Sequence, residues 1–525
     1  MKTKISHLYQ RFISWRGSDW LILGLGLVVL AALTLPTIGK SSIWFDEAFS
    51  SYISHFSFWE IAKYTAADVH PPLYYWTLKV WEMIFGQSDI AIRSMSVFFA
   101  AIAAVFAFLL VRRLFGRKAA ALSLLFLVIS PMVIRYSQEA RMYMLVAAIT
   151  MSATYVLTYA INSRRRRPWI IYAILVAAGM WTHYFTALVW LSHWAWRLIV
   201  VRQTGVRGKD LRKKFFSKTW TWTHIGAIAL FAPWLPFMVY QLGGIQGGGF
   251  WIGQVGINTP TNYLTNLFYY QEHSQVQGWL AALLLVVIIG LIVLILRTYR
   301  AMPKLTRQKY LLLIIMSLVP VALLFIASLP PAKSSFVDRY LMTSLMSGAL
   351  LLGVTITYGL AKAKLKWRVA AVAVLVVIFA VGNSNVYYYG NFNKNSNDNV
   401  RTKQLIEAVD AKAKPGEPII INTPWTFYEA VFYSTTEHPV YFIDADTQYL
   451  YGSLNMLKDN DAHKIKDVPA FLAEHPVVWY VGITTDDTVT TDRTTGWKAL
   501  QTVTATDPIQ MITKYRATEY QTSGE

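Results

Sequence analysis

The chain has no cysteine among its 525 residues, and only 15% of them are charged. The first absence removes disulfides, thiolate nucleophiles and cysteine-based metal sites together. The second sets the chain apart from soluble proteins, in which roughly a quarter of residues carry charge. The missing charge is missing in blocks. Trp20–Ile38, Ser94–Val111, Trp279–Leu296, Tyr310–Leu329 and Leu341–Ala361 contain no Asp, Glu, Lys or Arg. Each is long enough to cross a hydrocarbon core of ~30 Å as a helix. In lipid the backbone must bond within its own segment, which makes these runs helices.

What is present in excess is positive charge, and its distribution decides its meaning. The net charge is +20. Before residue 387, 28 Lys and Arg lie in six alternate connectors: 1–19, 112–118, 162–168, 201–221, 297–309 and 362–368. The intervening connectors hold only eight, Lys40, Lys63, Lys79, Arg93, Arg135, Arg141, Lys333 and Arg339. This is the positive-inside bias, so the rich connectors face the cytoplasm and the basic charge marks topology, not a nucleic-acid surface. The expected result is a cell-membrane, multi-pass protein with a cytoplasmic N-terminus. The first run is too long for a cleavable signal and stays as a span.

About eleven spans follow: 20–38, 94–111, 119–134, 142–161, 169–181, 184–200, 222–240, 279–296, 310–329, 341–361 and 369–386. The stretch 169–200 is too short for two ordinary spans and too long for one. It predicts two short helices meeting near Thr182-His183-Tyr184, and broken helices at membrane depth line protected cavities. A long outer loop, 39–93, carries an amphipathic piece at Ser57–Tyr64, suited to the membrane surface. A second outer loop, 241–278, is rich in Gly, Asn and Tyr. Beyond Val386 the composition reverses to 12 Lys/Arg against 18 Asp/Glu. Strand runs 418–422, 439–443 and 477–481 alternate there with helical segments 425–434 and 468–474, the pattern of an extracytoplasmic α/β domain. The predicted division is 1–386, transmembrane with the site on loop 39–93, and 387–525, to which no chemistry is assigned.

Acids concentrate on the outer side, where orientation does not require them. Asp46-Glu47 follows Ile43-Trp44-Phe45 where the first span leaves the membrane. Such a pair is either a wet interfacial dipeptide or a base beside an apolar substrate. His70-Pro71-Pro72 reads as a rigid turn into the aromatic run Tyr74-Tyr75-Trp76, which leaves His70 and Asp68 unexplained. Arg135, Glu139 and Arg141 crowd one outer turn, either as an ion-pair cluster or as a bidentate phosphate clamp. Asp338-Arg339-Tyr340 opens a later span after Lys333, either as a snorkelling arginine or as a further phosphate partner. Together the groups offer carboxylates for proton transfer, cations for a phosphate and aromatics for a sugar or isoprenoid. Glycosyl transfer from a polyprenyl-phosphate sugar fits: the phosphate leaving group needs charge stabilisation and the acceptor hydroxyl needs a base.

Trp44-Phe45-Asp46-Glu47-Ala48, His70-Pro71-Pro72-Leu73-Tyr74-Tyr75-Trp76 and Tyr136-Ser137-Gln138-Glu139-Ala140-Arg141-Met142-Tyr143, in this order and on one side, resemble bacterial family 39 glycosyltransferases of the GT-C superfamily. Protein O-mannosyltransferases and the aminoarabinose transferases of lipid A are relatives. The resemblance covers roughly Trp20–Ala361, with Thr182-His183-Tyr184-Phe185 and Asp338-Arg339-Tyr340-Leu341 in support. It implies a polyprenyl-phosphate-sugar donor, an outward-facing cavity, Asp46 as base and Glu139 as a second carboxylate, with Glu47 supporting. His70, Arg135, Arg141, His183, Tyr184, Lys333 and Arg339 are then the donor-binding candidates, and the acceptor is a glycan, lipid or protein hydroxyl. Val69 and His70 replace the Glu and Lys of the aminoarabinose transferases, so no metal is carried over. No cofactor is assigned, and dependence on a divalent cation stays open. A lipid-linked polysaccharide polymerase or ligase would share this donor chemistry. A transporter would place its charges nearer the midplane and show paired half-repeats.

Overall fold

A computed structural model describes residues 17–247, 252–270, 278–388, 402–422, 424–446, 454–459, 461–484, 486–506 and 514–522. Parts of loop 241–278 and the stretch 389–401 lie outside the described residues. The chain divides into two compact units: residues 1–36 with 96–386, and residues 37–95 with 387–525.

The first unit is helical. Among the described residues of the chain, eight helices are long and apolar enough to cross a membrane. A bent pair, Arg117–Val128 and Pro131–Ser137 at 59°, makes nine if counted as one broken span. The bend sits where Pro131, which has no N–H to continue the helix before it, opens a new one. The short stretch is two helices as predicted, Arg167–Thr182 and Thr186–Arg202 of 16 and 17 residues, broken at His183. These are shorter than a standard span, which is why the count falls below eleven by length alone.

Helices in this unit approach closely where side chains shrink. A Cβ on Gly353 would stand 2.4 Å from the Ser123 backbone nitrogen, so only glycine permits the crossing of Met342–Gly359 over Arg117–Val128. Ser123 Oγ donates to the Leu350 carbonyl at 2.9 Å in the same crossing. Small residues and interhelical hydrogen bonds of this kind hold helices together where lipid offers no hydrophobic drive. Asp19, buried near the start of the first helix, pairs with Arg112 at 2.7 Å.

The second unit is built from two distant stretches of the chain. Residues 37–95, assigned to the transmembrane domain from hydropathy, form one body with the tail. The physical reason is a set of contacts that hydropathy does not report. Helix Phe45–Ser54 lies against helix Pro424–Tyr433, with the Tyr428 ring 5.7 Å from those of Phe45 and Phe49 and 5.2 Å from Tyr52. Ile43 N–H donates to Tyr433 Oη at 2.7 Å. Lys403 pairs with Asp89 at 3.0 Å and Lys63 with Asp459 at 2.8 Å.

The tail carries a six-stranded sheet in the order β3-β2-β1-β4-β6-β5. Its strands are β1 Ile419–Ile421, β2 Val440–Ile443, β3 Lys464–Ile465, β4 Val477–Thr484, β5 Lys498–Thr506 and β6 Lys514–Gln521. The first four are parallel, and β6 runs antiparallel to β4 and β5. All three isoleucines of β1 are buried, as a central parallel strand covered on both faces requires. The expected α/β character holds, and β3, β5, β6 and helix Thr402–Asp410 are additions the pattern did not supply.

Candidate active site

Asp46 and Glu47 are chain neighbours with different surroundings. Both lie in the first turn of helix Phe45–Ser54, where the N-terminal end favours negative charge. Glu47 is fully buried. Arg93 grips it twice, Nε to Oε1 at 2.8 Å and Nη2 to Oε2 at 2.6 Å. The same guanidinium donates to the carbonyls of Ile38 (2.9 Å), Ser41 (2.8 Å) and Ser42 (2.9 Å). One arginine therefore organises the whole turn from Ile38 to Glu47, and its planar fork is what allows five bonds at once. Asp46 sits on this turn half-buried. Its carbonyl accepts from Ser50 Oγ at 2.6 Å.

The rest of the loop in this unit is ordered by its own caps. Ser57 and Glu60 exchange a capping box, with Ser57 N–H donating to Glu60 Oε2 at 2.9 Å and Glu60 N–H donating to Ser57 Oγ at 3.3 Å, and helix Phe58–Ala66 begins there. Asp68 and His70, half-buried, stand 3.8 Å apart just before helix Leu73–Phe85. Glu82, on that helix, accepts from Ser51 Oγ at 2.9 Å and from Ser54 Oγ. Burial pushes the Glu82 carboxyl above its ordinary range. Among the described residues, no group of three or more His, Cys, Asp or Glu could hold a metal ion.

The helical unit holds the cations. Residues Pro131 to Arg141 are all buried, so the Arg135–Glu139–Arg141 turn is no solvated membrane-edge cluster. Arg135 Nη1 and Glu139 Oε2 pair at 2.5 Å one helical turn apart. Ser96 Oγ donates to the Glu139 carbonyl, also at 2.5 Å, fixing the turn against the neighbouring span. Tyr143 joins this turn to the later landmarks: its ring lies 5.3 Å from Tyr136 and 6.4 Å from Tyr340. Arg141, Arg339 and Glu139 are all within electrostatic reach of Tyr143. The Tyr340 ring in turn packs 4.9 Å from His183 and 5.3 Å from Phe185. Asp338 accepts from Asn266 Nδ2 at 2.5 Å.

Thus Arg135, Glu139, Arg141, His183 and Arg339 gather around Tyr143 and Tyr340 within the helical unit. Tyr184 departs from them: its hydroxyl donates to Gln241 Oε1 and accepts from Trp234 Nε1 at 2.8 Å. Lys333 is exposed in the segment before Asp338. Asp46, Glu47 and His70 belong to the other unit. Arg93 and Glu82 are participants that the motifs did not single out. The signal for Arg93 was its place at the mouth of a charge-free run, where a cation needs a partner.

Comparison with known proteins follows the same lines. Residues 69–237 match the family model described as dolichyl-phosphate-mannose-protein mannosyltransferase. A search of curated proteins finds no match to the sequence. The crystal structure of ArnT from Cupriavidus metallidurans in the apo state is 13% identical, with a TM-score of 0.59 over 95% of this chain and 98% of that one. The same protein bound to undecaprenyl phosphate gives 13% identity and a TM-score of 0.56 over 96% and 98%. An Archaeoglobus fulgidus oligosaccharyltransferase tethered with an acceptor peptide gives 12% identity and a TM-score of 0.49 over 88% and 69%. The family match lies in the central part of the chain, and the fold of ArnT is shared along nearly its full length.

Proposed function

We propose that the protein transfers a sugar from a polyprenyl-phosphate donor to an acceptor hydroxyl of a cell-envelope glycan, lipid or protein, with inversion at the anomeric carbon. The observation that carries the residue roles is the division of labour at Asp46-Glu47. Both Glu47 oxygens are engaged by Arg93, which makes Glu47 a positioning residue and leaves the proton-transfer role to Asp46 on the same rigid turn. In the reaction, the acceptor hydroxyl gives its proton to Asp46 and its oxygen bonds to the anomeric carbon. The bond from that carbon to the phosphate oxygen breaks, and polyprenyl phosphate leaves with the electron pair. Arg141 and Arg339 suit the phosphate, because guanidinium groups stabilise the developing charge without a proton. Support for the donor class comes from the fold shared with a protein solved with undecaprenyl phosphate.

On this reading the N-terminus is cytoplasmic and the unit bearing Asp46 is outside. The chain has no cysteine, so single cysteines report orientation without background. A cysteine in the tail labels in intact cells; labelling only after permeabilisation reverses the orientation.

The deciding experiment is complementation of a deletion strain, with lipid-linked sugars and envelope glycans analysed together. Asp46→Asn abolishes transfer, accumulates the donor and leaves thermal stability near wild type. Arg339→Ala raises the apparent donor KM more than it lowers turnover at saturation. Retained transfer by Asp46→Asn removes the base assignment, and an unchanged donor KM removes Arg339 from the phosphate.

A further inference from the structure

The helical unit has a groove lined by none of the candidate site residues. It is a cleft of about 330 Å³ between helices Gly278–Ala301 and Leu365–Tyr388, with Ile356 of Met342–Gly359 at its base. That volume falls within the ~300–1,000 Å³ of small-molecule sites. The lining is apolar throughout: Val287, Leu291 and Leu294 on one wall, Ala371, Val374 and Leu375 on the other. The positions recur at three- and four-residue spacing on each helix, so each wall is one helical face.

The hollow comes from small residues at the middle of both faces, Gly290 on one and Ala370 with Ala371 on the other. A Cβ on Gly290 would meet no atom within 4 Å. The glycine therefore serves no close helix contact; it keeps the groove open.

One end of the groove has a different character. One turn beyond Leu294 stands Arg297, followed by Arg300, and one turn before Trp367 stands Lys364, flanked by Lys362, Lys366 and Arg368. All six side chains are exposed. The Lys366 ammonium lies 5.4 Å from the centre of the Trp367 ring, itself part of the lining. No Asp or Glu occurs between Glu272 and Asp338 or between Asp338 and Asp398. The lining helices therefore bring no carboxylate to neutralise the rim. Positive-inside bias accounts for cations at this end of the helices, but it does not hollow out an apolar slot beside them.

A slot for a hydrocarbon chain ending at an unneutralised basic rim matches an amphiphile with a negative head, and basic clusters at helix ends attract anionic lipids. We propose that this groove holds an acyl chain of an anionic glycerophospholipid of the cytoplasmic leaflet, with its phosphate against Arg297, Lys364 and Lys366. The leaflet assignment rests on the orientation proposed above; the groove and its charge do not.

The test is lipid binding by the full-length protein in detergent, read by native mass spectrometry with phosphatidylglycerol or phosphatidylcholine of identical chains. Wild type binds phosphatidylglycerol at least tenfold better. Gly290→Leu, whose side chain enters open space, loses both lipids while its thermal midpoint in lipid-free detergent is unchanged. Lys364→Glu with Lys366→Glu keeps chain binding and loses the preference. Equal binding of the two lipids by wild type, or undiminished binding by Gly290→Leu, overturns the proposal. So does recovery of a polyprenyl phosphate in place of phospholipid, lost in Gly290→Leu. Cysteine labelling that places the 362–368 connector outside moves the leaflet assignment and leaves the lipid comparison to decide the groove.

Discussion

The helical unit and the loop–tail unit are held by different kinds of contact. In the helical unit, apolar faces and small residues such as Gly353 do the packing, and the Arg135–Glu139 pair spans a single turn. In the loop–tail unit, the decisive contacts join residues more than three hundred positions apart: Ile43 to Tyr433, Lys63 to Asp459, Lys403 to Asp89. A loop that leaves one span and enters the next has too few apolar residues to build a core alone. It acquires one from the tail. The turn carrying Asp46 therefore takes its shape from Arg93 on one side and from helix Pro424–Tyr433 on the other.

The largest effect should come from breaking that turn. Arg93→Ala leaves Glu47 as an uncompensated buried charge and strips three carbonyls of their donor, a loss of about 3–5 kcal/mol. We expect the loop–tail unit to become protease-sensitive in both of its segments, with transfer lost as a consequence. Arg135→Ala removes an equally buried partner, but its damage should stay within the helical unit and leave the loop–tail unit protease-resistant. If Arg93→Ala opens residues 37–95 while the tail stays resistant, the tail does not depend on the loop and the contrast between the units fails. Glu47→Gln refines the same point. It should lower the melting temperature, whereas Asp46→Asn should not, although the two residues are adjacent.

The difference between the units is also the difference between what the sequence discloses and what it withholds. Charge-free runs of span length reveal the long helices because the bilayer imposes one period and one length. The break near His183 was legible from length alone. In the tail, β1, β2 and β4 stood out as apolar runs bounded by turns, but β5 reads Lys-Ala-Leu-Gln-Thr-Val-Thr-Ala-Thr and lacks an apolar run. Its signal is β-branched alternation, weak in a strand whose side chains are largely exposed or half-buried. At the site, the acids and arginines announced themselves by residue type and sidedness. Their partners did not. Nothing local to Arg93 indicates five hydrogen bonds to the stretch from Ile38 to Glu47, and nothing local to Tyr433 indicates Ile43. Hydropathy placed loop 39–93 with its flanking spans because it measures transfer to lipid and is blind to pairing between distant segments.

A slope against pH tests whether the loop and tail share one buried interior. Glu429 lies on the helix packed against Phe45–Ser54 and is buried, with Thr402 Oγ1 donating to its Oε2. Burial, opposed by that hydrogen bond and reinforced by the nearby Glu47 carboxylate, pushes its carboxyl up to about 8 from an ordinary 4.5. Between those values the folded protein keeps a proton that the unfolded chain has lost. The stabilisation is therefore complete below about pH 4.5, declines as pH rises through the window, and levels off above about 8. Glu429→Gln cannot ionise, so its melting temperature should lack this component. The wild-type midpoint should fall relative to the variant between pH 5 and pH 8. If the two midpoints run parallel, Glu429 is not held neutral. The interior between helix Pro424–Tyr433 and the Asp46 turn would then be wet, and the loop–tail unit would owe its cohesion to the exposed and half-buried ion pairs at Lys63 and Lys403.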